Sequence, residues 1–349
     1  MKLKKKLLSA TLAMGFAMGF AGQANAYVYG GSSIYIGNLL ISLTDSSGTD
    51  IPDAATTFNF DVSSLARIVP GGTEAWSNTC GSLGTACGAV SPVLELLDGS
   101  NAPTAANAPG SSTDRAAQDF SIWGPASGNG EYANANAEID TAQLTQGIPS
   151  STNQISEAEI DSAKTEANSN AVLGSQTDFT LEFTIGNGYT SPVTLTVAFD
   201  ADPYLQAIVN EGLNEAGQSR AAHTAVVSMQ GDGGTFSWSP QGTTNVNDCL
   251  AGGGLTCVET DDTQDLNETI STGPDNGSEA LSVTAGFTAF GITISGLTAG
   301  DYSLSLSANT STVLSRAAIP EPEVLLLLGM GLMGIPLSRR LRKRKTGAA

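Results

Sequence analysis

The sequence predicts a mainly β protein: an antiparallel β-sandwich or jelly-roll-like body, with a cleavable N-terminal signal peptide and a short C-terminal membrane helix. Three observations predict it. Runs of strictly alternating apolar and polar residues recur along the chain, as at Phe179, Leu181, Phe183 and Ile185 and again at Val193, Leu195, Val197 and Phe199. A period of two marks strands that bury one face and wet the other. Gly, Ser, Thr, Asn and Asp fill the stretches between the runs, and these are the residues of tight turns. Both ends of the chain depart sharply from the middle in charge and apolar content.

The first element is residues 1–26. Lys2, Lys4, Lys5 and Lys6 precede an apolar run from Leu7 to Phe20, and Ala24-Asn25-Ala26 follows. A charged start, a short apolar run and an A-x-A exit are the three parts of a secretory signal peptide. The run is shorter than the roughly 20 residues of a bilayer span, which argues against a retained anchor. Ala24 and Ala26 are the expected processing residues, with Tyr27 as the first mature residue. Sec-type export machinery and signal peptidase are the partners this implies.

The last element is residues 319–345. Pro320-Glu321-Pro322 leads, after Glu323, into an uncharged run over 324–337, then into Arg339, Arg340, Arg342, Lys343, Arg344 and Lys345. As a helix the run spans about 21 Å at roughly 1.5 Å per residue, short of the roughly 30 Å hydrocarbon core. Local thinning and snorkelling of the flanking cations can close the gap. Cations beside a membrane segment stay cytoplasmic, so Arg339, Arg340, Arg342 and Arg344 orient the body away from the cytoplasm. The order of these parts resembles the PEP-CTERM sorting signal, the tail recognised by exosortases in Gram-negative bacteria that make exopolysaccharide. The resemblance implies processing near Pro320, Glu321 and Pro322 by an exosortase-type membrane protease. Surface display or release would follow, with exopolysaccharide as a further partner. One departure is that the tail continues past the cations to Ala349. An ordinary single-span anchor is the competing reading, but it needs no Pro-Glu-Pro.

Between the ends, residues 27–318 form an acidic body of one large or two smaller units. Ten of the 15 Lys and Arg residues lie in the ends, as do two of the 34 acids, so the body's net charge is −27 against −19 for the whole chain. Such a body repels nucleic acid and anionic lipid surfaces and attracts divalent cations. It carries four cysteines in two close pairs, Cys80 with Cys87 and Cys249 with Cys257. In an exported chain this predicts two short-loop disulfides. Zinc is the weaker reading, because His223 is the single histidine and no C-x-x-C occurs.

Strands are expected at Ser33 to Leu43, with a bulge near Gly37, and at Phe58 to Val62. Residues 102–115 read as a loop, and Phe120, Ile122 and Trp123 as the start of another strand. Tyr132 to Ile139 places Ala133, Ala135, Ala137 and Ile139 on one face, suiting a closely covered strand. Ala137 to Gln143 is echoed at Ala158 to Lys164, a weak internal repeat whose second copy leads into a stretch that reads as helix or strand. The 179–199 segment reads as a hairpin turning at Gly186-Asn187-Gly188. Pro203 to Leu213 reads as a short helix or loop. Further strands fall at Ala225 to Met229, Phe236 to Trp238, Leu281 to Phe287, Phe290 to Ile294 and Tyr302 to Leu306.

Signals for catalysis are sparse. His223 stands without G-x-S-x-G or H-E-x-x-H, and paired cysteines in disulfides are unavailable as nucleophiles. No carboxylate pair is singled out for glycoside hydrolysis. The expectation is a non-catalytic body with a structural or adhesive role. Calcium is the one cofactor the residues suggest. Asp200 and Asp202 follow a predicted strand, and Glu259, Asp261, Asp262 and Asp265 cluster after Cys257, with Asp232 elsewhere. Hard cations need carboxylates on loops in multiples, although no EF-hand pattern accompanies them. The candidate ligands are Asp200, Asp202, Asp261 and Asp262; the competing reading is solvated acidic loops. Trp76, Trp123 and Trp238 read either as core or as a sugar-stacking platform, which makes a calcium-dependent carbohydrate-binding or carbohydrate-active domain the alternative function.

Overall fold

The computed structural model describes residues 27–51, 55–69, 73–82, 90–98, 120–125, 132–140, 151–161, 168–189, 192–210, 215–242, 248–273, 280–284 and 286–318. The signal peptide with Ala24 and Ala26, the loop at 102–115, Cys87, and the tail with Pro320, Glu321, Pro322, Arg339, Arg340, Arg342 and Arg344 lie outside them. No described residue is helical.

Sixteen strands follow one another. They are β1 (Tyr27–Thr44), β2 (Ala55–Val69), β3 (Thr73–Ser82), β4 (Val90–Asp98), β5 (Tyr132–Asp140), β6 (Ser151–Asp161), β7 (Asn168–Ile185) and β8 (Val193–Asn210), then β9 (Glu215–Gly231), β10 (Gly234–Trp238), β11 (Cys249–Gly252), β12 (Thr256–Asp262), β13 (Thr269–Thr272), β14 (Ala280–Thr284), β15 (Thr288–Leu297) and β16 (Gly300–Ala318). They form two eight-stranded sheets. Sheet I runs β12-β15-β8-β1-β6-β5-β4, with β14 also on β8. Sheet II runs β11-β10-β9-β16-β7-β2-β3, with β13 also on β9. The pairs are antiparallel, and the 18 residues of β8 alternate buried and half-buried along their whole length. At roughly 3.3 Å per residue such a strand is about 60 Å long.

The two sheets pack face to face through an interior of two characters. One part is large and apolar: Ile34, Phe60, Phe179, Phe183, Phe199, Trp238, Phe290 and Leu304 join one buried cluster drawn from both sheets. The other part is small and hydroxyl-rich. Ser32 Oγ of β1 donates to the Ala222 carbonyl of β9 at 2.8 Å, and Ser219 Oγ of β9 donates back to the Tyr29 carbonyl at 2.7 Å. Ser175 Oγ of β7 reaches the Ile155 carbonyl of β6 at 3.0 Å, Thr312 Oγ1 of β16 reaches the Ser156 carbonyl at 2.9 Å, and Gln154 Nε2 donates to Thr177 Oγ1. Side chains this short bond across the interface only where the sheets approach closely. Gly30 marks such a place: a Cβ there would come within 2.7 Å of Thr312 Cγ2, 2.9 Å of Leu314 Cδ2 and 3.0 Å of Ser219 Oγ. Gly30→Val is therefore expected to cost about 1–3 kcal/mol by overpacking, read from the denaturant midpoint. A variant as stable as the parent would show that the sheets yield freely here.

Several sequence expectations are corrected. The 179–199 segment is not a hairpin. Its first strand, in β7, pairs with β2 and β16 of sheet II, and its second, in β8, pairs with β1 and β15 of sheet I. Alternation specifies which face is buried and not which strand is the partner, and an arch across the sandwich buries the same faces as a hairpin. Residues 203–210 are neither helix nor loop but the second half of β8. Pro203 is tolerated because it falls between the stretches of β8 that pair with β15 (up to Ala201) and with β14 (from Tyr204), where no ladder partner on that side awaits its missing N–H. Residues 120–125 form no strand. Of the stretch 154–172, which reads as helix or strand, residues 154–161 belong to β6 and residues 168–172 begin β7. The bulge near Gly37 is present: the register of β1 on β8 shifts between Gly37 and Leu40.

Candidate functional site

Two places concentrate polar chemistry. The first is the rim where the edge strands β11 and β12 meet. The Cys249–Cys257 disulfide, with Cα atoms 6.2 Å apart, ties β11 of sheet II to β12 of sheet I. The other predicted pair has Cys80 on β3, while Cys87 lies outside the described residues. Beside the disulfide, carboxylate oxygens of Asp248, Glu259 and Asp262 lie within 4.8 Å of one another. A bulge builds this trio. Three positions apart on a regular strand, Glu259 and Asp262 would face opposite ways. The register shift between Glu259 and Asp261 sets them opposite Ile292 and Phe290, both inward-facing.

Asp262 is buried and accepts the N–H groups of Gly242 at 3.1 Å and Gln241 at 3.3 Å. The Asp248 N–H donates to Glu259 Oε1 at 2.7 Å. Burial first, and the neighbouring carboxylates second, raise the pKa of both Glu259 and Asp262. Oxygens gathered in this way are what a hard cation binds, and Asp248, Glu259 and Asp262 are the residues that could hold one. Of the four predicted ligands only Asp262 belongs to this set. Asp261 is exposed and sits opposite Gly291, and Asp200 and Asp202 lie on β8. Sequence reasoning missed Asp248, although a bond from Cys249 to Cys257 already implies that residue 248 lies near β12.

The second place is the outer face of sheet I. Glu157 of β6 is fully buried there under residues 120–125. Its carboxylate accepts the Tyr29 hydroxyl at 2.8 Å and the N–H groups of Trp123 at 3.0 Å and Gly124 at 2.8 Å. Burial, followed by the Glu157 charge, pushes the Tyr29 phenol far above its ordinary pKa, so it remains a donor. The Trp123 ring rests on Tyr132, centroids 5.2 Å apart. Trp238 is buried in the core, and Trp76 lies on β3. Further along the same face, Asn38 Nδ2 donates to Asp200 Oδ2 at 2.7 Å. Asp202 accepts the Gly286 N–H, and its pKa is raised by partial burial. Phe287 stands edge-on to Tyr35 with centroids 5.5 Å apart.

His223 is buried on β9, its Nε2 3.0 Å from the Asp265 carbonyl oxygen. That contact assigns the proton to Nε2, while Nδ1 has no hydrogen-bond partner. Burial lowers its pKa, against smaller opposing effects from Asp265 and from the Tyr204 backbone. The unfolded chain thus takes up a proton below about pH 6.5 that the folded chain refuses. Stability should be fully present above that pH and fall below it, by at most about 1.4 kcal/mol per pH unit. Denaturant midpoints between pH 7.5 and 5.5 test this. The slope should flatten in His223→Gln, and equal slopes in parent and variant would contradict it.

No curated protein matches the chain. Among solved structures, the infectious bursal disease virus VP2 subviral particle aligns at 10% identity over 92% of this chain and 90% of that one, with a TM-score of 0.09. The T=1 particles derived from infectious bursal virus align at 12% identity over 92% and 86%, with a TM-score of 0.10. Superpositions this loose relate neither fold nor function. The informative match is at the C-terminus, where residues 318–344 fit the PEP-CTERM protein-sorting motif. The chain carries a PEP-CTERM sorting tail, which marks it as an exported protein sorted by an exosortase.

Proposed function

We propose that the sandwich is a non-catalytic structural or adhesive domain, delivered by Sec-type export and exosortase processing to the cell surface or the extracellular matrix. The observation that carries this reading is the position of the tail. The sorting motif begins at residue 318, where β16, the longest strand and a central one of sheet II, ends. The body therefore meets its sorting signal without an intervening linker, and cutting near Pro320-Glu321-Pro322 leaves the sandwich intact. The close hydroxyl-to-carbonyl contacts between sheets and the disulfide at the rim suit a domain that must persist outside the cell. Exopolysaccharide and biofilm are the setting this role implies.

Fractionation of producing cells tests the proposal. The parent should appear at the surface or in the medium, and a chain lacking residues 319–349 should lose surface attachment while still being exported. Glu321→Ala should leave an uncut, membrane-bound form. An identical distribution of all three would contradict the sorting route.

A further inference from the structure

We propose that the outer face of sheet I around Tyr35, Phe287, Asp200 and Asp202 binds a carbohydrate chain of neutral or amino sugars. This rests on the face itself, independently of the sorting tail.

Among the described residues Phe287 is the one exposed aromatic ring, and Tyr35 beside it is half-buried. Phe287 is 67% exposed. The outward positions of sheet II carry no ring along its central strands: β16 presents Ser303, Ser305, Ser307 and Asn309, and β9 presents Thr224, Val226 and Ser228. On sheet I the rings are held in place. Gly286, at φ +73°, turns the chain immediately before Phe287 and ties its N–H to Asp202. Tyr35 lies back along its strand over Gly37, where a Cβ would come within 2.6 Å of its ring. Phe287 meets it at 79°, which makes an aromatic corner. Two carboxylates flank the corner. Asp202 is the cross-strand partner of Tyr35, and Asp200 the partner of Gly37. Asn38, held at φ +53° by the bulge, aims its amide at Asp200.

The ligand follows from this combination. A partner must offer C–H surface to the rings and O–H or N–H donors to the carboxylates within one short span. Sugar rings offer both. The carboxylates and the body's net charge of −27 turn away nucleic acid, anionic lipid and acidic polysaccharide. A protein partner would need a far larger contact than one aromatic corner. The strand β8 that carries Asp200 and Asp202 is about 60 Å long, which suits an extended polymer.

The test uses the exported protein purified from producing cells, on a microarray of neutral, amino and acidic glycans and by affinity electrophoresis in gels containing β-glucan, galactomannan, xylan, chitosan or alginate. Retention by at least one neutral or amino polymer and none by alginate is expected. Phe287→Ala should weaken it about tenfold, the loss of one aromatic contact, and Asp202→Asn should weaken it too. Ser305→Ala on sheet II should leave it unchanged. Unfolding midpoints verify that the variants fold, and Phe287, being exposed, is not needed for the core. Three outcomes overturn the proposal: no retention on any neutral or amino glycan, retention indifferent to both Phe287→Ala and Asp202→Asn, or a dimer in sedimentation that Phe287→Ala dissociates without glycan binding. None of these would touch the sorting reading, which is carried by the tail.

Discussion

Glu157→Ala is expected to destabilise the body by about 3–5 kcal/mol, in the range for removing one member of a buried charged network. The carboxylate is fully buried on a sheet face and meets the Tyr29 hydroxyl and the N–H groups of Trp123 and Gly124. Removing it leaves them buried without their acceptor, and residues 120–125 lose the group that fixes their backbone to the sheet. Glu157→Gln is the sharper variant. It keeps the shape but turns one oxygen into a donor that faces other donors, so it should also be clearly destabilising. Urea denaturation of the three proteins checks both, and a loss below about 1 kcal/mol for Glu157→Ala would show that the site is solvated rather than built.

Phe199→Ala should cost a comparable 3–5 kcal/mol, the usual range for truncating a buried aromatic. Phe199 of sheet I stacks on Phe290 of the same sheet, centroids 5.3 Å apart, and lies 5.8 Å from Trp238 of sheet II. It is 2% exposed. The cavity left by truncation would open between the sheets, where strands on both sides are fixed by their ladders and cannot collapse onto it. Phe199→Leu, which fills most of the space, should lose much less. Equal and small losses for both variants would mean that the interior at this point is loosely packed.

What the sequence made legible follows from what a period of two can encode. Alternation at Phe179 to Ile185 and at Val193 to Phe199 identified strands and their buried faces, because a half-buried strand writes that pattern directly; at Tyr132 to Ile139 it identified the strand, whose Asn134 and Asn136 face is buried as well. It could not identify partners. The arch between β7 and β8 and the hairpin expected there share one hydrophobic pattern, and the choice is made by β1 and β16, distant in sequence. Pro203 misled for a related reason: its effect depends on whether a neighbouring strand needs its N–H, and the gap between β14 and β15 removes that need. The apolar Phe120, Ile122 and Trp123 looked like a strand because they cover one, with the Trp123 N–H serving Glu157. Among the acids, Asp261 and Asp262 are neighbours in sequence yet point to opposite sides of β12, so that only Asp262 joins Glu259 and Asp248. The sorting motif was legible, since its parts are read in linear order and need no tertiary context.

The most direct measurement is mass spectrometry of both termini of the protein from native envelope and medium fractions. The account predicts a mature form that begins at Tyr27 and ends near Pro320-Glu321-Pro322, without the arginines from Arg339 onward. Recovery of the intact tail through Lys345, confined to the membrane fraction, would contradict exosortase processing and leave a plain membrane-anchored surface protein.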